Sequence, residues 1–489
     1  MILIGMAAWA LVSSRLAEVR AAADTPSISL PPDAGPMATS RAAELKAADY
    51  VERELFLEGS AASYSSRDDW TSDGFWTAAV PGARAPYKVR MLVRYPVQPA
   101  RFNGLVFVEW LNVSGQTEAD PNFSLLHVEL IRSGYAYVGV GAQAVGVNGT
   151  SGLKKINGAR YGSLQHPGDS YSYDIYSQAG QAIRTPKGPA PLGPLTSRIS
   201  RLIAAGESQS ASRMVTYVNA VHPLVNVYDG FFIHSRGGGP APLAQDAQNK
   251  PTVPLPALSR IRRDLRTPVF QVQAETDVPN FVAARQLDDD AVHTWELAGT
   301  AHADRYLLTG GGTRPLAMTC TDSETKLNVP VNDGPMTYSL RAALRHLRRW
   351  IETGTPPPTG RELSVEGRQI KRDPATGLAL GGVRTPHVDV PVRTLSGVRE
   401  PAGGGGFCRL FGRTDEWNGN TDAWDGTPAD PSPTPEPVLS TLYGSPSVYR
   451  ARFDEALERA ITNGFLLGED VAAIRAEAAA VHWEEPRAR

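Results

Sequence analysis

Apolar segments of strand length recur along this chain, and several of them are apolar on both faces of the strand they would form. Between them the spacing of apolar residues changes to three and four, as in segments 211–218 and 340–347, which is the period of a helix with one buried face. A strand with two apolar faces is typical of a parallel sheet that helices cover on both sides. The alternation therefore predicts an α/β fold with a mostly parallel central sheet. The strands are predicted at 87–95, 105–111, 135–141, 202–205, 230–234, 268–273 and 292–297.

The length of 489 residues allows one large domain or two to three ordinary ones. We predict a single elaborated domain over residues 40–489, with a separate C-terminal domain from about residue 360 as the alternative. The helix period in 449–461 and 470–483 indicates a helical C-terminus. Segments rich in proline and glycine interrupt the pattern of strands and helices. They predict insertions or lid segments at about 144–200, 236–266 and 355–440.

The charge balance and the cysteine content argue against several functional classes. The chain has 49 Lys and Arg against 51 Asp and Glu, a net charge of −2, and no basic run, so we expect no binding to nucleic acid. Two cysteines cannot supply a four-cysteine zinc site, and we predict no metal site. No stretch approaches the ~20 uninterrupted apolar residues of a membrane-spanning helix, so we expect no stable membrane span. The sequence does not indicate an oligomeric state.

The N-terminal segment combines features of an export signal with features that such signals lack. Residues 1–12 are apolar and a run of three alanines follows, but no basic residue precedes the apolar run and two arginines lie inside the segment. We interpret residues 1–28 as a degenerate export signal, which predicts a secreted or periplasmic protein. The alternative is a frayed or disordered N-terminus on a cytoplasmic protein. In an exported protein Cys320 and Cys408 are expected to form a disulfide.

Segment 206–210 (GESQS) follows a predicted buried strand and precedes a predicted helix. A Gly-x-Ser-x-small pattern in this context is that of a nucleophile elbow, in which a tight turn exposes the serine. Small residues two before and two after the serine avoid collisions with the strand and the helix, and Gly206 and Ser210 meet that requirement. We predict Ser208 as a nucleophile. The alternative is an ordinary turn in which Ser208 caps the helix.

A serine hydroxyl is a weak nucleophile until a base takes its proton, so this interpretation requires a downstream histidine held by a carboxylate. The loops after the last two predicted strands supply both, in the order serine, acid, histidine. Glu275 is the preferred acid because it lies three residues before a Val-Pro pair, and Asp277 is the alternative because aspartate is the commoner acid. His302 is the predicted base. Its alternatives are a structural histidine or a metal ligand together with Asp304.

Acyl transfer through a serine also needs amide donors for the oxyanion of the tetrahedral intermediate. The backbone N–H of Gln209, directly after the serine, is the expected first donor. The loop after the predicted strand 105–111 is expected to supply the second through Leu111 or Asn112, and the alternative is that this loop forms only a turn. The predicted chemistry requires no cofactor.

In the order of its strands, elbow, acid and histidine the chain resembles the α/β-hydrolase superfamily, and more narrowly a group of bacterial proteins described only as alpha/beta hydrolase domain proteins. The resemblance covers most of residues 50–485. It implies the α/β-hydrolase fold, with Ser208 as nucleophile, Glu275 as acid and His302 as base, and it implies that the C-terminal helices belong to the hydrolase domain. The chain departs from the superfamily pattern in closing the elbow with Ser210 instead of glycine. The matching phrases are VEWLNVSG (108–115), GESQSA (206–211), AETD (274–277), WELAGTAHAD (295–304) and GGVRTPHVDVP (381–391).

These patterns together predict a serine hydrolase that cleaves a small-molecule carboxylic ester, with a pocket built by the insertions. A polyester depolymerase or an acyltransferase would use the same residues. The alternative from another class is a catalytically silent scaffold that only binds a ligand, because a fold does not guarantee its chemistry. The pattern does not specify the acyl or alcohol group.

Overall fold

The computed structural model describes residues 25–246, 248, 250–312, 330–398, 406–417 and 439–483. These residues form one nine-stranded sheet and two two-stranded sheets. The strands of the large sheet are β1 (Ser27–Ser29), β2 (Tyr50–Ser65), β3 (Val80–Pro96), β4 (Leu105–Trp110), β5 (Ala136–Val140), β6 (Arg201–Glu207), β7 (Gly230–His234), β8 (Val269–Ala274) and β9 (Val292–Leu297). The small sheets pair β10 (Val365–Glu366) with β11 (Gln369–Ile370) and β12 (Arg393–Ser396) with β13 (Arg413–Glu416).

The strand order of the large sheet is β1-β2-β3-β5-β4-β6-β7-β8-β9. β1, β2 and β3 pair antiparallel with their neighbours, and β4 to β9 run parallel to one another. Every residue of β4, β5, β7 and β8 is buried, as expected for strands covered on both faces. The predicted mostly parallel sheet is confirmed.

Four of the longer helices cover the two faces of this sheet, two on each face. The described helices of eight residues or more are α1 (Pro121–Arg132), α2 (Ser172–Arg184), α3 (Gln209–Thr216), α4 (Met336–Thr353), α5 (Pro446–Thr462) and α6 (Val471–Ala479). α2 and α3 share a buried cluster with Phe231, and α1 and α4 share another with Phe232. Because successive residues of a strand point to opposite faces, the two clusters lie on opposite sides of the sheet.

Short helical segments occupy many of the connections between these elements. The α-helical ones are Ala42–Ala47, Ala144–Asn148, Leu153–Ile156, Gly158–Tyr161, His222–Val225, Val278–Phe281, Arg305–Leu308, Pro386–Asp389 and Leu439–Tyr443. The segment Tyr217–Val221, directly after α3, is π-helical. The 3₁₀ segments are Pro99–Arg101, Asp169–Tyr171, Gly193–Arg198, Val282–Ala284, Gly406–Leu410 and Gly468–Asp470.

The sequence predictions omit the long strand β2 and assign the segment that contains α2 to an insertion. β2 was not among the predicted strands because its 16 residues mix buried and partly exposed positions and include charged side chains such as Glu54, so it has no continuous apolar run. The predicted insertion at about 144–200 contains α2, whose Ile175 and Ala179 lie in the core. The segment 187–194, rich in proline and glycine, follows α2 closely, and the whole region is therefore interpreted as an insertion from its sequence.

The C-terminal helices contact the layers of the main sheet. The Asp470 carboxylate accepts hydrogen bonds from Arg132 of α1 (2.6 Å) and Arg341 of α4 (3.0 Å). The rings of Phe465 and Trp295 lie 5.1 Å apart, centroid to centroid. These contacts support the single domain predicted for residues 40–489, which stays a prediction.

Two predictions fall wholly or partly outside the described residues. The predicted export segment 1–28 is described only from residue 25 onward. Cys320 lies outside the described residues, so its pairing with Cys408 stays a prediction. No helix in the described ranges combines the length and the hydropathy that crossing a membrane requires.

Truncation of a core leucine tests the two-layer packing. Leu344 of α4 is 0% exposed, so Leu344→Ala leaves a cavity and is expected to lower the free energy of unfolding by about 2–5 kcal/mol. Leu287→Ala is the matched control, because Leu287 is 78% exposed and its loss is expected to cost about 0.5 kcal/mol or less. Urea denaturation measures both values. Equal losses in the two variants would contradict the assignment of Leu344 to the core.

Candidate active site

Ser208 lies at the turn between β6, which ends at Glu207, and α3, which begins at Gln209. Its backbone has φ 58° and ψ −117°, a conformation that residues other than glycine rarely adopt. The Ser208 N–H donates to the carbonyl oxygen of His234 at the end of the neighbouring strand β7 (3.0 Å). The strand–turn–helix predicted for 206–210 is therefore present. The hydrogen bond to the neighbouring strand stabilises the strained backbone of Ser208.

The residues two before and two after Ser208 leave no room for larger side chains. A Cβ added to Gly206 would lie 2.5 Å from the carbonyl oxygen of Ser210 and 2.9 Å from Cγ of Met214. Ser210 is fully buried, and its hydroxyl donates to the carbonyl oxygen of Glu207 (3.1 Å). The serine that replaces the usual glycine of this pattern thus fits the turn and adds a hydrogen bond across it.

His302 lies on the loop after β9 and reaches Ser208 with one ring nitrogen and Asp277 with the other. Its Nε2 is 2.8 Å from Ser208 Oγ, and its Nδ1 is 2.6 Å from Asp277 Oδ1. The His302 N–H donates to Oγ1 of Thr276 (3.0 Å), which fixes the loop beside the acid. The structure therefore brings together the predicted nucleophile, the predicted base and the alternative acid.

The structure places Glu275, the preferred acid, away from His302. One Glu275 oxygen accepts hydrogen bonds from Arg372 (2.7 Å) and from the N–H of Gly397 (3.1 Å), and the other accepts from the N–H of Gly299 (2.8 Å). The turn after β8 directs Asp277 toward the site instead, because its N–H donates to the Ala274 carbonyl and its Oδ2 accepts from the Ala274 N–H, both at 3.0 Å. Glu275 therefore joins loops and does not contact His302.

The amide donors predicted on the loop after β4 are already engaged. The N–H of Leu111 donates to Val140 (3.1 Å) and the N–H of Asn112 donates to Ala119 (3.0 Å). The side-chain amide of Asn112 donates to the carbonyl oxygen and to Oε2 of Glu207, both at 3.1 Å. Asn112 thus contacts the elbow, but not as the predicted oxyanion donor. The N–H of Gln209 is the first of α3 and has no acceptor within the helix.

A second carboxylate, which the sequence did not single out, contacts His302. Oε1 of Glu207 lies 3.2 Å from Nε2 of His302, on the same side of the ring as the Ser208 hydroxyl. Glu207 is 3% exposed. The position before the nucleophile accepts any residue in the elbow pattern, so only the presence of a charged side chain there could have drawn attention to it.

The two carboxylates govern the charge of the imidazole. Burial opposes the charged form of His302, but the contacts with Asp277 and Glu207 outweigh it and raise the pKa of His302 to about 9. Burial raises the pKa of Glu207 to about 7, although His302 opposes that shift. His234 is fully buried with neither ring nitrogen bonded within the described ranges, and burial lowers its pKa to about 3, so it is neutral.

The alternative of a metal site formed by His302 and Asp304 has no support in the geometry. Oδ1 of Asp304 accepts the N–H of Leu307 (2.9 Å) and so caps the short helix Arg305–Leu308. Across the part of the chain that the structure describes, no group of three or more His, Cys, Asp or Glu side chains is arranged to hold a metal ion.

The close packing at Gly206 predicts that even one added methyl group will disturb the elbow. Gly206→Ala is expected to lower the midpoint of thermal unfolding and to displace Ser208 from His302, because backbone atoms of the next turn obstruct the new Cβ. Gly115→Ala is the control, since a Cβ at that position meets nothing within 4 Å. Differential scanning calorimetry measures both variants. An unchanged midpoint in Gly206→Ala would show that the turn can relax.

Comparison with known proteins assigns the chain to a family. The chain matches the family described as "Alpha/beta hydrolase domain" over residues 22–476. No curated protein matches the chain.

Solved structures that are similar to this chain include hydrolases and esterases. An α/β serine hydrolase without a lid from Xanthomonas campestris is 15% identical over 61% of this chain and 97% of that chain, with a TM-score of 0.29. A fungal esterase from Rhizomucor miehei is 12% identical over 66% of this chain and 94% of its own, with a TM-score of 0.31. A glucuronoyl esterase from Teredinibacter turnerae is 11% identical over 54% and 65%, with a TM-score of 0.25. Since the family match extends over most of its length, the chain belongs to the alpha/beta hydrolase domain family.

Proposed function

We propose that this protein is a serine hydrolase that cleaves carboxylic esters through an acyl-enzyme intermediate on Ser208. The observation that carries the proposal is the continuous contact from Ser208 Oγ to His302 Nε2 (2.8 Å) and from His302 Nδ1 to Asp277 Oδ1 (2.6 Å). A hydroxyl, an imidazole and a carboxylate in this order are the parts that acyl transfer requires. Membership of the alpha/beta hydrolase domain family supports the same reaction class.

In the proposed reaction the neutral imidazole of His302 takes the proton of Ser208 as Oγ attacks the ester carbonyl. Asp277 accepts the Nδ1–H bond, which selects the tautomer with a free Nε2 and stabilises the imidazolium that forms. The imidazolium then gives its proton to the leaving alkoxide, and an ester of Ser208 remains. Water then attacks the ester carbonyl while His302 takes its proton, and His302 returns that proton to Ser208 Oγ as the bond to the acyl carbon breaks and the acid product leaves.

The developing oxyanion needs donors that are not already engaged. The N–H of Gln209 at the start of α3 is the proposed donor, because it directly follows the nucleophile and has no acceptor within its helix. The Gln209 side chain is held away from this role by a hydrogen bond to Oε1 of Gln143 (2.9 Å). No cofactor enters this scheme.

Hydrolysis of a p-nitrophenyl ester series from acetate to palmitate tests the proposal. Ser208→Ala is expected to lower kcat/KM by about 10⁴-fold or more, because the nucleophile is lost. Ser212→Ala is the matched control, since Ser212 lies one turn further along α3 and its hydroxyl takes no part in the contacts among Ser208, His302 and Asp277. The profile of rate against chain length reports the acyl group that the pocket accepts.

The possible outcomes distinguish the proposal from its alternatives. Equal activity of wild type and Ser208→Ala would contradict the assignment of the nucleophile. Absence of turnover in both, with a folded wild type, would favour the silent scaffold. Release of soluble acids from a solid polyester, or transfer to an added alcohol in preference to water, would redirect the assignment to a depolymerase or an acyltransferase that uses the same residues.

The acid is tested by comparing Asp277→Asn with Glu275→Gln. Asp277→Asn is expected to lower kcat by about 10⁴-fold with little loss of stability, because the amide carries no charge to stabilise the imidazolium and its NH2 can donate to Nδ1, which selects the wrong tautomer. Glu275→Gln is expected to lower the unfolding midpoint, because its contacts with Arg372 and Gly397 weaken, and to change kcat by about tenfold or less. Steady-state kinetics and thermal denaturation of both variants give the result. The reverse pattern would restore Glu275 as the acid.

A further inference from the structure

His302 Nε2 has two oxygen neighbours, and the proposed reaction uses only one of them. Ser208 Oγ lies at 2.8 Å and Glu207 Oε1 at 3.2 Å from the same nitrogen. Asp277 occupies the other nitrogen at 2.6 Å. The ring is therefore placed between two carboxylates, one at each nitrogen.

The Glu207 carboxylate is held in this position by its neighbours. The Asn112 amide donates to Oε2 of Glu207 and to its backbone carbonyl oxygen, both at 3.1 Å, which leaves Oε1 directed at His302. The carboxylate is buried, since Glu207 is 3% exposed, and His302 is the cation that lowers its pKa. Within the described ranges its ion pair is with His302. A buried carboxylate is costly unless a positive charge compensates it, and the imidazolium is the charge available here.

We infer that Glu207 is a positioning residue that, together with Asp277, holds the His302 imidazolium between two carboxylates during acylation and deacylation of Ser208. This inference rests on the proposed function. When the proton of Ser208 passes to Nε2, the new N–H has two acceptors, Oγ of Ser208 and Oε1 of Glu207. The second acceptor stabilises the ion while Oγ is bonded to the acyl carbon. The same proton then passes to the leaving alkoxide, so Glu207 gains and loses no proton over the cycle.

In the free enzyme the contact between Glu207 and His302 lowers the fraction of His302 that is neutral. Both carboxylates stabilise the protonated ring, and only the neutral ring can accept the proton of Ser208. The charged and titratable groups around His302 are Asp277 from the loop after β8, Glu207 from β6 and the neutral His234 from β7. With the pKa of His302 raised to about 9, the base form accumulates as pH rises toward 9, and activity rises with it.

The pH dependence of Ser208 modification by a fluorophosphonate probe tests this inference in the full-length protein. In that reaction Oγ forms a bond to phosphorus, fluoride leaves, and the proton of Oγ passes to His302. Glu207→Gln keeps the shape of the side chain and removes its charge. The midpoint of the acid limb is expected to fall by about one to two pH units, because an opposite charge within contact distance is lost. The limiting rate at alkaline pH is expected to fall about tenfold, because the imidazolium loses one acceptor.

Glu207→Asp tests whether the shift of the pH midpoint depends on the distance between the carboxylate charge and His302. The shorter side chain retains the charge but withdraws it by about one bond length, so its midpoint is expected between those of wild type and Glu207→Gln. A role in folding alone would change the unfolding midpoint of these variants and leave the pH midpoint where it is. If Glu207→Gln does not fold, the smaller shift in Glu207→Asp decides the question.

Ser208→Ala distinguishes failure of this inference from failure of the proposed function. If Ser208→Ala reacts with the probe as fast as wild type, the assignment of the nucleophile is wrong. If it does not react, while wild type and both Glu207 variants share one pH midpoint, the proposed function stands and the role inferred for Glu207 is overturned. A midpoint order of wild type, Glu207→Asp and Glu207→Gln from high to low pH supports the inference.

Discussion

The burial of the parallel strands on both faces of the sheet is the constraint on which the rest of the structure depends. Because both faces of β4 to β8 are buried apart from Arg201 at the start of β6, helices must cover both sides of the sheet, and each parallel connection must return across the sheet before the next strand begins. All of these strands therefore end at one edge. Ser208, Asp277 and His302 follow β6, β8 and β9 at that edge, which is why residues nearly a hundred positions apart meet.

Buried charges have two different arrangements in this protein. In the antiparallel part of the sheet Arg90 contacts Glu118 at 2.7 Å and Glu54 at 3.3 Å, so a permanent cation compensates the carboxylates. Among the residues that the structure describes, Glu207 has no such partner, because the cation beside it is an imidazole whose charge depends on its proton. A guanidinium stays charged at any pH that the protein survives, and the first arrangement is therefore static. The charge of the second changes each time His302 gains or loses a proton.

The sequence was sufficient for the parts of the site that follow from position along the strands. Ser208 directly follows β6 and His302 lies on the loop after β9, and the period of the apolar residues locates those strand ends. The choice between Glu275 and Asp277 depended on a turn of three residues and on contacts with Arg372 and Gly397, which local sequence does not reveal. The contacts of Asn112 were not predictable for a similar reason, since its amide partner, Glu207, belongs to another strand.

The contacts of Glu275 also bear on how the protein is made. Its carboxylate bonds to Arg372 and Gly397, which lie 97 and 122 residues further along the chain. During synthesis the segment with Glu275 leaves the ribosome well before these partners do. The loop that carries Asp277 therefore stays without its full set of supports until most of the chain has emerged. The loop beside the candidate site therefore gains these supports only after the strands that position it have been synthesised.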